Sequence, residues 1–215
     1  LFAAEATIKW RDVRSSLGRV DDDKGLLWSA TIDGSRAAGS WFGRAHGTLD
    51  LGAPLPLPHS SVWLRSAAGV SPGSREAPFA NFFFGGFGNN WVDRGDEKRY
   101  RHYYAFPGAD LNEIGGRNFV RSLLEWNLPP LRFSGVGSPG FYLTWMRPAV
   151  FAGGLATNLD HDAFRRTAAT AGAQLDFQIT ALSTLDLMLS VGGAVAFEDG
   201  YAPRRELMVS LKVLR

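Results

Sequence analysis

The 215-residue sequence contains no cysteine. This absence excludes disulfide bonds, thiolate metal sites and cysteine nucleophiles, and it suits any compartment, including an oxidising one in which free thiols are a liability. Net charge is also nearly absent, because 23 basic and 21 acidic residues leave a formal charge of +2. A surplus this small, without a basic stripe, gives no support for nucleic acid as a partner, and none is expected.

Long apolar runs are absent as well. None reaches about 18 residues, so the sequence predicts no transmembrane helix, and no segment shows helical periodicity. The chain begins LFAAEATIKW, without an initiator Met or a basic-then-apolar signal segment, so we expect a mature protein or a fragment of a longer one. What the sequence does contain, 25 Gly, 15 Phe and 7 Trp, favours an all-β fold.

Apolar and polar residues alternate along much of the chain, which is the period of a β-strand. The last such segment places four apolar residues on one face: Leu207, Val209, Leu211 and Val213. The same pattern predicts nine strands, at residues 3–13, 24–34, 40–53, 60–70, 117–128, 141–155, 168–182, 184–197 and 205–214. We therefore expect a fold dominated by long antiparallel strands.

The apolar face of these strands could point inward, as in a soluble β-sandwich that serves as a binding module, or outward to lipid, as in a membrane barrel. The predicted strands run about 9–14 residues, longer than sandwich strands usually are. Small residues occupy the polar face at Ser190, Gly192 and Ala194. Aromatic residues near strand ends, typical of an interfacial girdle, are Trp10, Trp126 and Phe197. These features favour the barrel over the sandwich.

A segment of about 45 residues, 71–115, separates two of the predicted strands. It contains FFFGGFGNNWVDRGDEKRYRHYYAFPG at residues 82–108, which mixes aromatic and charged side chains. A loop of this length without secondary structure is uncommon and usually functional. Inside a wide polar lumen, such a loop would meet both apolar and charged walls.

Two motifs, one inside this loop and one at its end, resemble one family. The first consists of Phe82, Phe83, Phe84, Gly85 and Gly86; the second consists of Gly115, Gly116 and Asn118, followed by Glu125 before Leu128-Pro129-Pro130. Both resemble the C-terminal part of the BamA-type outer-membrane barrels, the bacterial surface antigen superfamily. The resemblance covers roughly residues 40–215, and five strands follow the loop, as in that family.

The resemblance implies that the loop folds back into the lumen, where a loop arginine pairs with an inward carboxylate. Glu125 lies on the polar face of its predicted strand, as this pairing requires. We call this predicted arginine–carboxylate contact the loop lock. The family's Arg-Gly-aromatic motif is not intact here, so the first candidates for the arginine are Arg99 and Arg101, and the second choice is Arg94. Tyr100 is the aromatic residue between the first two candidates. The alternative is that Glu125 is a lumen carboxylate without a special partner.

The implied architecture is an antiparallel transmembrane β-barrel of sixteen strands with a lumen-folded loop. Residues 1–215 would be its C-terminal part, with about nine strands. Upstream strands and periplasmic POTRA domains would lie outside this sequence, since half a barrel leaves unpaired edges in lipid. A small self-closed barrel of eight or ten strands is the alternative. The chain also ends in Val213-Leu214-Arg215, whereas family members commonly end in an aromatic residue.

The resemblance further implies a function that makes or breaks no covalent bonds and uses no cofactor or metal, so we do not expect an enzyme. The protein would lie in the outer membrane of a Gram-negative bacterium, or of a related organelle, and assist outer-membrane protein assembly, insertion or polypeptide translocation. Its partners would be outer-membrane lipid, client polypeptides and accessory subunits. A client strand would pair at a lateral seam formed by Leu207, Val209, Leu211 and Val213. Alternatively, the barrel anchors or exports an upstream enzymatic or binding domain as a passenger.

Overall fold

The computed structural model describes residues 2–16, 20–37, 40–73, 77–87, 92–93 and 98–214. Fourteen strands and three short 3-10 helices form this part of the chain. None of its helices is long and apolar enough to cross a membrane. The prediction of an all-β antiparallel fold is confirmed.

The strands form three groups along the chain. The first four are β1 (Phe2–Arg14), β2 (Lys24–Ala37), β3 (Ser40–Pro54) and β4 (Ser61–Val70). Residues 71–117, which we call the long loop, contain the 3-10 helices Pro78–Ala80 and Arg99–Arg101 and the short strands β5 (Phe82–Phe84), β6 (Val92–Asp93) and β7 (Ile114–Gly116).

The third group follows the long loop. It comprises β8 (Asn118–Asn127), β9 (Leu131–Arg132), β10 (Gly137–Ser138), β11 (Phe141–Thr157), β12 (Arg166–Ala181), β13 (Leu185–Glu198) and β14 (Arg204–Val213), with a 3-10 helix at Asp162–Phe164. Nine of the strands are long, and each overlaps one of the nine strands that the alternation predicts.

The long strands form one sheet in the order β1-β2-β3-β4-β8-β11-β12-β13-β14, and β6 adds to the β14 edge. Each long strand pairs antiparallel with the next long strand in sequence, as in a simple meander. The long loop leaves β4 and returns at its neighbour β8. No pairing among the described residues joins β1 to β14, so the sheet is open.

The burial of this sheet is the reverse of that in a soluble protein. On β8, Arg121, Leu123 and Glu125 are buried, while Leu124 and Trp126 are exposed. We call the face that carries Glu125 the inner face and the opposite one the outer face. An antiparallel sheet with one face in water usually buries its apolar face and exposes its polar face, whereas this sheet buries the face that carries its charged residues.

The outer face is apolar from one edge of the sheet to the other. Exposed side chains on it include Ile8, Trp10, Ile32, Leu49, Leu51, Leu64, Val120, Leu124, Trp126, Val150, Leu175, Val191, Leu207 and Val209. Among the described residues, no second sheet packs on this face, since the other sheet is the β5–β7 pair of the long loop. The structure therefore does not support a β-sandwich, which needs two packed sheets.

The inner face is covered by the long loop, and the two together form the hydrophobic core. Phe82, Phe84, Phe106 and Ile114 of the loop pack with Phe119, Leu155, Ala168 and Ala196 of the strands. A second cluster joins Phe87 and Tyr100 to Leu123, Phe151, Ala194 and Met208. The aromatic residues of the loop thus supply the apolar area that an inward polar face lacks.

Candidate functional site

Two glycines set the path of the long loop. Gly85 and Gly86 have φ values of +148° and +78°, in the region that favours glycine. A Cβ on Gly85 would lie 1.9 Å from the carbonyl oxygen of Asp110. The amides of Gly85 and Gly86 donate to the carbonyl oxygens of Tyr104 and Ala109, at 3.2 and 3.0 Å. The first half of the loop therefore doubles back tightly against the second half.

The structure brings the two sequence motifs together. β5 pairs antiparallel with β7, so that Phe82 lies opposite Gly116 and Phe83 lies opposite Gly115. Phe82 and Phe84 are buried, whereas Phe83 is 40% exposed. Of the two glycines of the second motif, Gly116 lies in the tighter place, since a Cβ there would lie 2.7 Å from Cβ of Thr157, whereas a Cβ on Gly115 would make an ordinary contact of 3.4 Å with the ring of Phe83.

Asn118, the last residue of the second motif, contacts a turn rather than the loop lock. Its Nδ2 donates to Oδ1 of Asp160 at 2.7 Å, and its Oδ1 accepts from the amide of Leu159 at 2.6 Å. Both partners lie between β11 and β12. Asn118 therefore fixes the start of β8 to the neighbouring turn.

Glu125 lies at the centre of the site and is fully buried. Arg101 donates to it from Nε to Oε2 at 3.0 Å and from Nη2 to Oε1 at 2.5 Å. Tyr100 Oη donates to Oε1 at 3.0 Å, Arg65 Nε donates to Oε2 at 2.7 Å, and Lys98 Nζ donates to Oε1 at 3.3 Å. Two-point contact by a guanidinium is among the stronger and more directional polar interactions in proteins.

The short 3-10 helix Arg99–Arg101 explains why these donors converge. Lys98 immediately precedes this helix and Arg101 ends it, and both donate to Oε1 of Glu125. The ring of Tyr100 stacks on Phe151 with 4.3 Å between centroids, and the carbonyl oxygen of Tyr100 accepts from Arg121 Nη2 at 2.7 Å. Both contacts hold this turn against β8 and β11.

Of the three candidate arginines, the structure places Arg101 against Glu125. Arg99 is half-buried in the same turn and is not among the described donors to Glu125. Arg94 lies outside the described residues. Sequence reasoning had no basis for choosing between Arg99 and Arg101, because the choice depends on the direction of the turn.

Asp21, between β1 and β2, is a member of the site that the sequence did not reveal. It accepts from Arg101 Nη2 at 2.6 Å and from Lys98 Nζ at 3.4 Å, and it lies 3.2 Å from Arg147 Nη1. Although burial raises the pKa of Asp21, the charges of Arg101, Lys98 and Arg147 outweigh it and hold that pKa well below its usual range. Asp21 belongs to a run of three aspartates, a pattern that usually indicates a solvated turn.

Lys98 is a second residue that the sequence did not single out. Its side chain is 2% exposed and contacts Asn127 as well as Glu125 and Asp21. Burial and the nearby charges of Arg147 and Arg101 lower the pKa of Lys98 to about 8, against the opposite influence of the two carboxylates. The loop therefore brings a desolvated ammonium group to the centre of the sheet.

The contacts continue beyond Glu125 on both sides. Arg65 Nη1 donates to Asp50 Oδ2 at 2.6 Å. Arg147 Nη2 donates to Asp176 Oδ2 at 3.1 Å, and Asp176 is fully buried. We call the following eight residues the ionic network: Asp21, Asp50, Glu125, Asp176, Arg65, Lys98, Arg101 and Arg147. It contains four acidic and four basic groups, which matches the rule that buried charges require partners.

Glu206, on β14, anchors the loop at a second place. Its Oε1 accepts from the amide of Phe87 at 2.8 Å, and its Oε2 accepts from the amide of Gly108 at 2.9 Å. Gly108 has a φ of +93°, and a Cβ there would lie 2.4 Å from the amide nitrogen of Ala196. Two distant parts of the loop thus bind one carboxylate on the last long strand.

The four residues predicted to form a seam lie on β14. Leu207 is 83% exposed and Val209 is 47% exposed, whereas Leu211 and Val213 are half-buried. The β14 edge is partly occupied, because β6 pairs parallel with it at Leu211 and Lys212. The long loop therefore contacts both the inner face of the sheet and its final edge.

The arrangement is suited to holding the loop rather than to acid–base chemistry. Glu125 accepts from four side chains at once, so its oxygens are not available to take a proton from a substrate. Within the described part of the chain, no group of three or more His, Asp or Glu side chains could hold a metal ion. A search against protein families, curated proteins and solved structures finds no match.

Proposed function

We propose that this chain is the C-terminal part of an outer-membrane β-barrel of the BamA-type superfamily. Its function is the assembly or insertion of outer-membrane proteins, or the translocation of polypeptides. The observation that carries the proposal is the buried contact between Arg101 of the long loop and Glu125 of β8, at 2.5 Å. The resemblance carried by the two loop motifs implies such a contact between a loop arginine and an inward carboxylate.

The reversed burial supports a membrane location. Leucine, isoleucine, valine and tryptophan side chains cover the outer face, while the ionic network lies under the loop on the inner face. In outer-membrane barrels, lipid-facing apolar residues alternate with lumen-facing polar ones. Lipid would cover the apolar outer face without requiring a second sheet.

The open edges support the view that further strands complete the barrel. β1 has a free edge of 13 residues, and its pairing with β14 is not observed in the described residues. An open edge inside lipid leaves backbone amides and carbonyls without partners, which is costly. We propose that strands outside this sequence close a barrel of sixteen strands, rather than that these nine close on themselves.

In the proposed mechanism, a client polypeptide binds at the edge of the final strand. β14 presents an edge on which a client strand could pair through backbone hydrogen bonds, as in β-augmentation. β6 of the long loop occupies part of this edge, so the position of the loop and access to the edge are coupled. The Arg101–Glu125 lock would hold the loop where it leaves the rest of the edge open.

A complementation experiment with the full-length protein tests this proposal. Outer membranes are prepared from cells that carry the wild-type gene, or Glu125→Gln, as the only copy. We expect the wild-type protein to require detergent for extraction and to migrate differently before and after heating. We expect Glu125→Gln to lose that shift or the ability to sustain outer-membrane protein levels. Full complementation by Glu125→Gln would contradict the role of the lock. An enzymatic or binding domain upstream of a normal barrel would favour the alternative in which the barrel anchors or exports that domain.

A further inference from the structure

A polar cavity of about 340 Å³ lies between the long loop and the inner faces of β1 to β4. Its walls include Thr7, Thr31 and Thr48 from three successive strands, and His102 and Tyr103 from the loop. At roughly 30 Å³ per water molecule, this volume would hold about ten waters. The walls are more polar than apolar, so the cavity suits a hydrated solute better than an apolar ligand.

The strand register explains why a cavity forms here. Arg121 on β8 lies opposite Ala67 on β4, which lies opposite Thr48 on β3. Thr48 in turn lies opposite Ser29 on β2, and Ser29 lies opposite Lys9 on β1. Three small side chains therefore separate two long cationic ones across five strands. Neighbouring strands are about 4.8 Å apart, so this row spans roughly 19 Å.

Arg121 is the cation of this cavity that is buried without a described ion pair. Its side chain is 2% exposed, and its described hydrogen bond runs from Nη2 to the carbonyl oxygen of Tyr100 at 2.7 Å. No described ion pair includes Arg121. A guanidinium offers five N–H donors, and a buried charge without an opposite charge is unfavourable. Arg121 lines the cavity, so an anion bound there would meet this charge.

His46 provides a second, independent indication of a ligand. It lines the same cavity, and its Nδ1 is buried without a hydrogen-bond partner among the described residues. The ring stacks on Tyr103 with 4.3 Å between centroids, which fixes its orientation. Buried polar atoms are seldom left unsatisfied in folded proteins. A ligand in the cavity that His46 and Arg121 both line would provide a partner for this nitrogen.

The charges around the cavity favour an anion. The cations of the lining are Lys9, Arg65, Arg101 and Arg121, and the acids are Glu5 and Asp50. Arg65 and Arg101 are committed to carboxylates of the ionic network, whereas Arg121 is not. A planar guanidinium matches carboxylate and phosphate groups in two-point geometry.

We propose that this cavity is a binding site for an oxyanion, a phosphate or a carboxylate, held by Arg121. The loop residues His102 and Tyr103 form its cover, so the anion would also connect the loop to β3 and β8. Arg65 and Arg101, which bind Glu125, line one side of this cavity, but the proposed anion site is held by Arg121 and does not depend on the proposed function of the barrel.

The test uses the full-length protein in detergent and two probes, inorganic phosphate and acetate. Calorimetric titration of the wild-type protein should show saturable binding of at least one probe, and the preferred probe distinguishes a phosphate site from a carboxylate site. Arg121→Gln removes the charge and should weaken binding about tenfold or more, since charged hydrogen bonds are worth more than neutral ones. Arg205→Gln removes a charge from an exposed position on β14 and should bind like the wild type.

A second variant keeps the proposal testable if Arg121→Gln does not fold. Thr48→Leu fills the middle of the row without removing a charge and should abolish binding while the heat-dependent gel shift is retained. Saturable binding that neither Arg121→Gln nor Thr48→Leu weakens would overturn the assignment. Absence of saturable binding of both probes by the wild type, so that the cavity holds only water, would overturn the proposal itself.

Discussion

Nη2 of Arg101 lies 2.5 Å from Oε1 of Glu125 and 2.6 Å from Oδ2 of Asp21. One guanidinium group on the long loop thus bridges a carboxylate on β8 and a carboxylate between β1 and β2. The loop, the centre of the sheet and its first hairpin are joined through a single side chain. This relationship makes the position of the loop depend on a small set of charges, and each can be removed separately.

Glu125→Gln should destabilise the fold substantially. The substitution removes the charge that partners Arg101, Lys98 and Arg65, and removing one partner of a buried ionic group typically costs about 3–5 kcal/mol. We expect a lower urea concentration at the midpoint of unfolding, read from the gel band of the folded form. Asp162→Asn is the control, because the Asp162 carboxylate is largely exposed and pairs with a neighbour in its own turn. If the midpoint of Asp162→Asn shifts as much as that of Glu125→Gln, the loss of any charge has this effect and the contacts of Glu125 are not special.

Arg101→Lys should loosen the loop more than Arg99→Lys does. Lysine keeps the charge but cannot donate to Glu125 at two points, and the loss of charged hydrogen bonds is worth about 1.5–3 kcal/mol. Limited proteolysis of the folded protein measures the effect, with cleavage near residues 98–105 expected to be faster in Arg101→Lys. Equal cleavage rates in the two variants would contradict the choice of Arg101.

Glu206→Gln tests the second anchor of the loop. The amide side chain keeps one acceptor oxygen but loses the charge-assisted contacts to the amides of Phe87 and Gly108. We expect faster hydrogen exchange at these two amides, while the amides near Glu125 keep their protection. If both regions exchange faster together, the loop is held as one unit and Glu206 is not a separate anchor.

Gly192→Val should displace the loop without changing any charge. A Cβ on Gly192 would lie 2.7 Å from Cζ of Phe87, whereas a Cβ on Gly43 meets no atom within 4 Å. Overpacking of this kind typically costs about 1–3 kcal/mol. Urea unfolding should show this loss for Gly192→Val and little change for Gly43→Ala. A Gly192→Val protein as stable as the wild type would indicate that Phe87 does not pack on β13.

Acidification should weaken the contact at Asp21. The folded-state pKa of Asp21 lies below its ordinary value of 3.8, so its stabilising contribution is complete above that value and is lost as the pH falls below it. Wild-type stability should therefore decrease more steeply than that of Asp21→Asn as the pH is lowered from about 5, through 3.8, to about 2. If the free energy of unfolding of the two proteins falls in parallel as the pH is lowered, Asp21 does not contribute to the acid sensitivity.

The sequence predicted the strands well because alternation is a local pattern. It also placed Glu125 on the inner face, since the phase of β8 decides which way each side chain points. The two glycine-containing motifs indicated a tightly folded loop, and the structure pairs them. These features depend on residues that are close together in the sequence or on one strand.

The remaining parts of the site depend on contacts between distant residues. Asp21 and Arg101 are 80 positions apart, and Phe87 and Glu206 are 119 positions apart. An aspartate in a turn and a glutamate near a strand end have no local signature that distinguishes them from solvated residues. The choice of Arg101 over Arg99 likewise depends on the path of the 3-10 helix, which no periodicity predicts.

Lipid exposure of the outer face is the most direct test of the account. Because the sequence lacks cysteine, single cysteines can be introduced and spin-labelled without competing sites. Ile8 is 67% exposed on the outer face, and its neighbour Thr7 lines the cavity on the inner face. In membranes containing the full-length protein, we expect the Ile8→Cys label to collide with oxygen, which dissolves in lipid. The Thr7→Cys label should instead collide with a water-soluble nickel chelate. Equal access of the chelate to both labels would contradict a membrane barrel.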